Sequence, residues 1–191
     1  MIKRIEYPFT EEKIRGLRVG DTVSLSGRVC TGRDRLHQFL AEGGTCPVSL
    51  RDGAMYHCGP VVMQEGGKWV VRAAGPTTSI REEPYMADLI KSLGLRVIVG
   101  KGGMGEATRL ACRDHGCVYL QTVGGAAALL ASCIESVDGV HFLAEFGSTE
   151  AMWEFHLRDL IAVVTMDARG RSRHRTVQRS TRKTLNQLLS E

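Results

Sequence analysis

The sequence predicts an α/β fold, with a β-rich N-terminal part followed by alternating strands and helices. Three observations point there. Asp21–Cys30 (DTVSLSGRVC) alternates apolar and polar residues as a strand does. Tyr56–Met63 and Lys68–Ala73 are two further strand-like runs joined by Glu65-Gly66-Gly67, a hairpin signal. After Gly75, the short apolar runs Leu95–Val99 and Cys117–Leu120 alternate with segments of helical periodicity. That alternation argues for parallel pairing in a layered α/β arrangement.

Taken in order, Thr10 before Glu11-Glu12 suits the N-cap of a short helix or turn over Pro8–Gly16. The strand over Asp21–Cys30 is followed by a helix at Asp34–Leu40, and then by the hairpin. Glu82–Leu93 is an amphipathic helix with Met86, Leu89, Ile90 and Leu93 on one face. Leu95–Val99 is a strand, Gly105–His115 a helix, Cys117–Leu120 a strand and Gly125–Ala131 the start of a helix. Val137–Ala144, Trp153–Leu157 and Leu160–Met166 supply the remaining strands. Neither a repeat nor a linker interrupts residues 1–170, which read as one domain. Residues 171–191 form a basic C-terminal tail, helical or mobile, in which Thr184–Leu189 extends any terminal helix.

The chain has 191 residues, 43% apolar and 24% charged, enough for one compact core. Its net charge of +4 belongs to the tail, where seven Lys/Arg and no acid lie between Arg169 and Lys183. Residues 1–168 carry 18 basic and 20 acidic side chains, so the body is slightly acidic. The tail has no aromatic residue for stacking, and nucleic-acid binding is not expected. No apolar run approaches the roughly 20 residues that span a bilayer, and the N-terminus lacks an apolar signal region. A cytoplasmic protein without membrane contact is expected. The six cysteines include no CxxC pair and make no disulfide framework. They read as buried small apolar residues, in spacings that suit neither zinc nor an iron–sulfur cluster held by this chain alone. No metal ligand is assigned.

Four loop blocks carry the chemistry: Thr31-Gly32-Arg33-Asp34, Gly75-Pro76-Thr77-Thr78-Ser79 with Arg81, Gly100-Lys101-Gly102-Gly103-Met104, and Gly124-Gly125-Ala126-Ala127. Together they read as one anion site. Arginine forks onto a carboxylate with two parallel hydrogen bonds, and lysine adds a point charge, which is what a small dicarboxylate needs. Each block also has a plainer reading. Thr or Ser before Glu82-Glu83 suits a helix cap, Arg33-Asp34 a surface turn, and His37 and His57 ordinary structural histidines. Gly100-x-Gly102-x-x-Gly105 matches GxGxxG between a strand and a helix, so a dinucleotide-dependent oxidoreductase module is an alternative. The strand that should end in a ribose-binding acid ends instead in Gln121-Thr122, which leaves that fingerprint incomplete. What remains is a glycine-rich turn whose backbone N–H groups and helix end face an anion.

The blocks, in this order, resemble the β subunit of class I iron–sulfur fumarate hydratases and the related L-tartrate dehydratases. Tyr56-His57-Cys58-Gly59-Pro60, Glu150 with Trp153, and Thr165-Met166-Asp167-Ala168 extend the likeness over roughly residues 1–170. The resemblance implies a three-layer swivelling β/β/α domain. It implies an active site shared with a cluster-bearing α subunit, which holds a [4Fe–4S] cluster on its own cysteines, in a heterotetramer of two α and two β chains. The implied reaction is reversible hydration of fumarate to L-malate, with L-tartrate or another hydroxy-diacid as the alternative C4 dicarboxylate substrate. By the same pattern Arg33, Arg81, Lys101 and Thr78 bind substrate and Thr77 is the catalytic base. Asp34, His37, His57, Gly102 and Gly103 support them. The sequence departs from the pattern at Glu82-Glu83-Pro84, which places extra negative charge beside Arg81.

Overall fold

A computed structural model describes residues 1–190. In chain order the elements are β1 (Ile2–Glu6), α1 (Glu11–Arg15), β2 (Thr22–Gly32), α2 (Asp34–Ala41), β3 (Ala54–His57) and the hairpin β4 (Val61–Glu65) and β5 (Lys68–Ala73). A 3₁₀ turn at Ser79–Glu82 leads into α3 (Glu83–Leu93), followed by β6 (Val97–Gly100), α4 (Glu106–His115), β7 (Val118–Gln121) and α5 (Ala127–Ala131). The chain continues through β8 (Ile134–His141), α6 (Leu143–Phe146), β9 (Met152–Met166) and α7 (Arg173–Leu188).

Strands β2, β3, β6 and β7 pair in parallel. Strand β9 pairs antiparallel with β7 on one side and with β2 on the other. The sheet therefore closes on itself as a five-stranded, barrel-like ring within a mixed α/β fold. Strands β1 and β8 extend it outside the ring, on β2 and β9. Because successive side chains face opposite ways, each ring strand feeds two cores. Tyr56, Val97, Val99, Val118, Leu120 and Phe155 belong to one cluster. The residues between them, Met55, Ile98 and Tyr119, belong to another, with Leu36 of α2, Met86 and Ile90 of α3 and Cys112 of α4. Burial on both faces explains why β3, β6 and β7 are continuous apolar runs.

The elements depart from the sequence reading at several places: β1 has no counterpart in it, and Val137–Ala144 is not one strand, since β8 ends at His141 and α6 begins at Leu143. Tyr56–Met63 is not one strand: Cys58-Gly59-Pro60 separates β3 from β4, and proline has no N–H to continue a ladder. Trp153–Leu157 and Leu160–Met166 are not two strands but the halves of β9. Buried positions run 153, 155, 157 and then 160, 162, 164. The phase slips because an extra residue is inserted at Asp159, whose φ is 51°, opposite a shift in pairing between Leu25 and Gly27. Ser24 Oγ donates to Asp159 Oδ1 at 2.7 Å, and Asp159 N donates to Ser26 Oγ at 2.9 Å. Thr10 occupies the N-cap of α1 without a side-chain capping bond. The basic tail, expected to be helical or mobile, is a 16-residue helix, α7, capped by Ser172 and with no buried residue.

The close approach of β6 to the segment before α3 fixes one glycine. A Cβ on Gly100 would overlap the Ser79 hydroxyl and stand 3.0 Å from Tyr119 Oη. Phe155, fully buried inside the ring, carries far more stability than any side chain of α7. Phe155→Ala is expected to cost about 3–5 kcal/mol in urea denaturation, while Leu185→Ala on α7 stays within about 0.5 kcal/mol.

Candidate active site

Since β2, β3, β6 and β7 are parallel, their carboxyl ends lie at one end of the ring, where open α/β sheets also place their ligands. Three of the four loop blocks leave from these ends, while the Gly75–Arg81 block follows β5 of the separate hairpin and is brought to them. Arg33 follows β2, Cys58-Gly59 follows β3, Lys101 follows β6, and Thr122 to Gly125 follow β7. Backbone hydrogen bonds tie the loops together. Thr77 N donates to His57 O at 2.7 Å, Ser79 N to Lys101 O at 3.0 Å, and Thr122 N to Gly100 O at 3.0 Å. Thr78 forms a parallel bridge with Lys101. Thr77, Thr78 and Lys101 thus sit side by side, although they come from separate blocks.

The side chains complete the cluster. Arg33 Nε lies 3.4 Å from Glu150 Oε1, and Glu150 Oε2 accepts from Arg35 N at 3.1 Å. The Arg33 side chain lies over Gly59, where a Cβ would stand 2.7 Å from both Cδ and Nη1. Arg81, exposed, pairs with Asp34. Lys101, half-buried, has no carboxylate partner among the described residues, and its Cδ would be 3.5 Å from a Cβ on Gly124. Gly102 is exposed with φ 81°, whereas Gly103 is buried with φ 79°. Gly103 N donates to Tyr119 Oη at 3.3 Å, and Tyr119 Oη donates to Ser79 Oγ at 2.9 Å. Neither Thr77 nor Thr78 caps a helix through its hydroxyl: the N-cap positions of the 3₁₀ turn and α3 are Thr78 and Glu82, both without side-chain capping bonds. Thr77 is half-buried and Thr78 exposed.

A fully buried polar layer lies behind this surface. His37 Nδ1 donates to the Arg33 carbonyl at 2.8 Å and stands 3.5 Å from Glu82 Oε2. The His37 and His57 rings meet edge to face at 4.9 Å. Burial pushes the His37 pKa down to about 4 and that of His57 well below the ordinary imidazole value. The two histidines are therefore neutral supports: His37 holds the backbone of Arg33, and the His57 carbonyl holds that of Thr77.

Two expectations need correcting. The extra negative charge expected beside Arg81 is withdrawn from the surface. Glu82 is fully buried. Glu83 reaches α4, where Oε2 accepts from Gly105 N at 2.7 Å and Thr108 Oγ1 at 2.6 Å, and Oε1 accepts from Thr108 N at 3.2 Å. The N-terminus of α4 is therefore not open to an anion, because a carboxylate of the same chain already occupies it. A dinucleotide pyrophosphate needs that helix end. The His174 ring also fills the space over Gly103, where a Cβ would collide with it. Both contacts oppose the oxidoreductase alternative and leave the Lys101 side chain as the cation of this loop.

Sequence reasoning gave no role to Tyr119 or His174, and no pairing to Glu150. Glu150 and the N-terminus of α2 are 115 residues apart at the Arg35 contact, and only ring closure makes them neighbours. Among the described residues no group of three or more His, Cys, Asp or Glu is placed to hold a metal ion. Burial pushes the Cys30 and Cys58 thiols up to about 12, the opposite of what a thiolate ligand needs. The described residues therefore do not fit an iron–sulfur cradle. No described helix is long and apolar enough to cross a membrane.

The sequence profile of the family described as Fumarase C-terminus matches residues 2–177. A putative fumarate hydratase class I of Geobacillus stearothermophilus is 50% identical over 184 residues, covering 96% of this chain and 35% of that protein. The chain thus spans about a third of that relative's length. A putative L(+)-tartrate dehydratase subunit beta of Methanocaldococcus jannaschii is 37% identical over 193 residues, covering 97% of this chain and 99% of the relative. The L(+)-tartrate dehydratase subunit beta of Escherichia coli K12 is 34% identical over 172 residues, covering 89% of this chain and 85% of the relative. With the profile extending over nearly the whole described fold, this chain belongs to the fumarase C-terminus family.

Proposed function

We propose that this chain is the β subunit of a two-subunit hydro-lyase that interconverts L-malate and fumarate. The observation that carries the reading is the gathering of Arg33, Arg81, Lys101 and Thr77 at one end of the ring, from loops scattered along the chain. Two relatives covered over most of their length are named as β subunits, which supports a separate α partner. The higher identity to the protein named fumarate hydratase favours malate over tartrate, and L-tartrate dehydration is the second reading. In this proposal the α subunit bears the [4Fe–4S] cluster, the assembly holds two copies of each chain, and the enzyme works in the cytoplasm. The closed ring with α2, α3 and α4 packed along one side is compatible with a swivelling β/β/α domain.

The residues of this chain would bind the substrate and handle one proton. A substrate carboxylate has to displace Asp34 from Arg81, and an exposed ion pair of this kind is worth only about 0–1 kcal/mol. A charge-assisted hydrogen bond contributes about 1.5–3 kcal/mol, so the exchange favours the substrate once a partner covers the surface. Removing the C3 proton of malate builds negative charge on the adjacent carboxylate. Fixed cations at Arg33, Arg81 and Lys101 stabilise that charge more in the transition state than in the ground state. Thr77, held through its backbone by His57, presents its hydroxyl as the proton acceptor. A hydroxyl is a weak base unless its proton is drawn off, and the surrounding cations together with a carboxylate of the partner supply that pull.

The reading is tested under anaerobic conditions by mixing this chain with its cluster-loaded α subunit and following fumarate formation from L-malate, with L-tartrate in parallel. Turnover of malate only when both chains are present supports the proposal, and turnover of tartrate alone shifts it to the second reading. Inactivity on both, with the complex formed and the cluster intact, refutes it. In the active complex, Lys101→Ala and Arg81→Ala should each lower kcat/KM by at least about 30-fold, or ~2 kcal/mol. Near-wild-type turnover in either variant removes that residue from the site. Thr77→Val should leave the melting temperature unchanged while abolishing solvent exchange of the C3 proton of malate. Retained exchange moves the base elsewhere.

A further inference from the structure

The reaction as proposed leaves Glu82 unused, and its surroundings give it a role. It has no exposed surface, and neither of its carboxyl oxygens has a hydrogen-bond partner. His37 on α2 faces it, with Nδ1 3.5 Å from Oε2, and His57 at the end of β3 lies beyond His37. His37 Nε2 and both His57 nitrogens are likewise buried without partners. The charged groups around Glu82 are Arg81, Arg33 and Glu150. A carboxylate with no hydrogen bond is strongly disfavoured in such a place, and a neutral carboxyl much less so.

We propose that Glu82 is a positioning residue that works as a neutral carboxyl behind the arginine pair, and that its ionisation weakens the binding of a dicarboxylate anion. The charge balance of the loops gives the reason. Arg33, Arg81 and Lys101 face two carboxylates, Asp34 and Glu150, so the cluster keeps a positive balance towards a ligand. An ionised Glu82 cancels it. Burial first, and then the nearby Glu150 carboxylate, raise the Glu82 pKa to about 7, against the pull of Arg81 and Arg33. The group is therefore poised to change charge near neutrality. The ligand half of this proposal rests on the dicarboxylate reading above, whereas the protonation half stands without it.

The first test needs neither partner nor activity. In the chain labelled with ¹³C at glutamate Cδ, one resonance should titrate with a midpoint near 7, far above the ordinary 4.5, and should be missing from Glu82→Gln. Linkage gives a second readout. The unfolded state releases the Glu82 proton from about 4.5 and the folded state only near 7, so between these values the folded state binds more protons and wild-type stability falls as pH rises. The melting-temperature advantage of Glu82→Gln should therefore grow across that window and level off above it. In the assembled enzyme, the wild-type KM for the diacid relative to that of Glu82→Gln should rise about fivefold from about pH 6 to about pH 8, as expected for one added nearby carboxylate at the effective dielectric of a protein surface. A merely structural glutamate leaves that ratio flat. An ordinary Glu82 midpoint overturns the proposal, whether or not the enzyme turns over malate. A raised midpoint with a flat KM ratio overturns the ligand half.

Discussion

The antiparallel pairing of β2 with β9 turns an open sheet into a ring, and the geometry of the site depends on that closure. It sets Ala151 and Trp153 against Thr31, whose hydroxyl donates to Ala151 O at 3.3 Å and accepts from Trp153 N at 3.0 Å. Arg33 starts two residues after Thr31, and Glu150 ends one residue before Ala151. The 3.4 Å approach of Arg33 to Glu150 is thus a consequence of strand register rather than of local sequence. Opening the ring would leave Arg33 on a loop without its carboxylate partner and would expose Phe155 and Leu160 from the core.

Closure also creates the low-dielectric layer behind the cations. Histidine and glutamate side chains are seldom fully buried unless they are paired, yet His37, His57 and Glu82 have no exposed surface. Their cost is limited by neutrality, since burial moves each of them towards its uncharged form. What this layer offers in return is rigidity at Arg33, whose carbonyl is held by the His37 ring, while the Thr77 amide is held by the backbone carbonyl of His57. The charged surface in front remains adjustable, because both arginine pairs are partly exposed. A rigid backbone under exchangeable ion pairs suits a site that must be completed by another surface, since the cations are placed in advance and only their counter-ions have to change.

Much of this was legible in the sequence. Apolar runs located β6 and β7 because both of their faces are buried, and glycine-bracketed cations marked the loops at the carboxyl ends. The failures have physical causes. The alternation in β9 breaks at Asp159 because a bulge inserts a residue, and a break in alternation cannot be told from a break between strands. Strand β1 went unnoticed because Ile5 is its single buried residue. Glu83 read as extra charge beside Arg81 because its partners, Gly105 and Thr108, lie at the start of α4, the next helix along the chain. The packing of His174 over Gly103 depends on where α7 starts, which no spacing in the chain encodes.

The most direct measurement is a crystal structure of this chain assembled with its α subunit and with L-malate bound. The account predicts that the malate carboxylates lie within hydrogen-bond distance of Arg33, Arg81 and Lys101, that Asp34 is displaced from Arg81, and that the Thr77 hydroxyl faces C3. Malate bound entirely by the partner, with Arg81 still paired to Asp34, would contradict it.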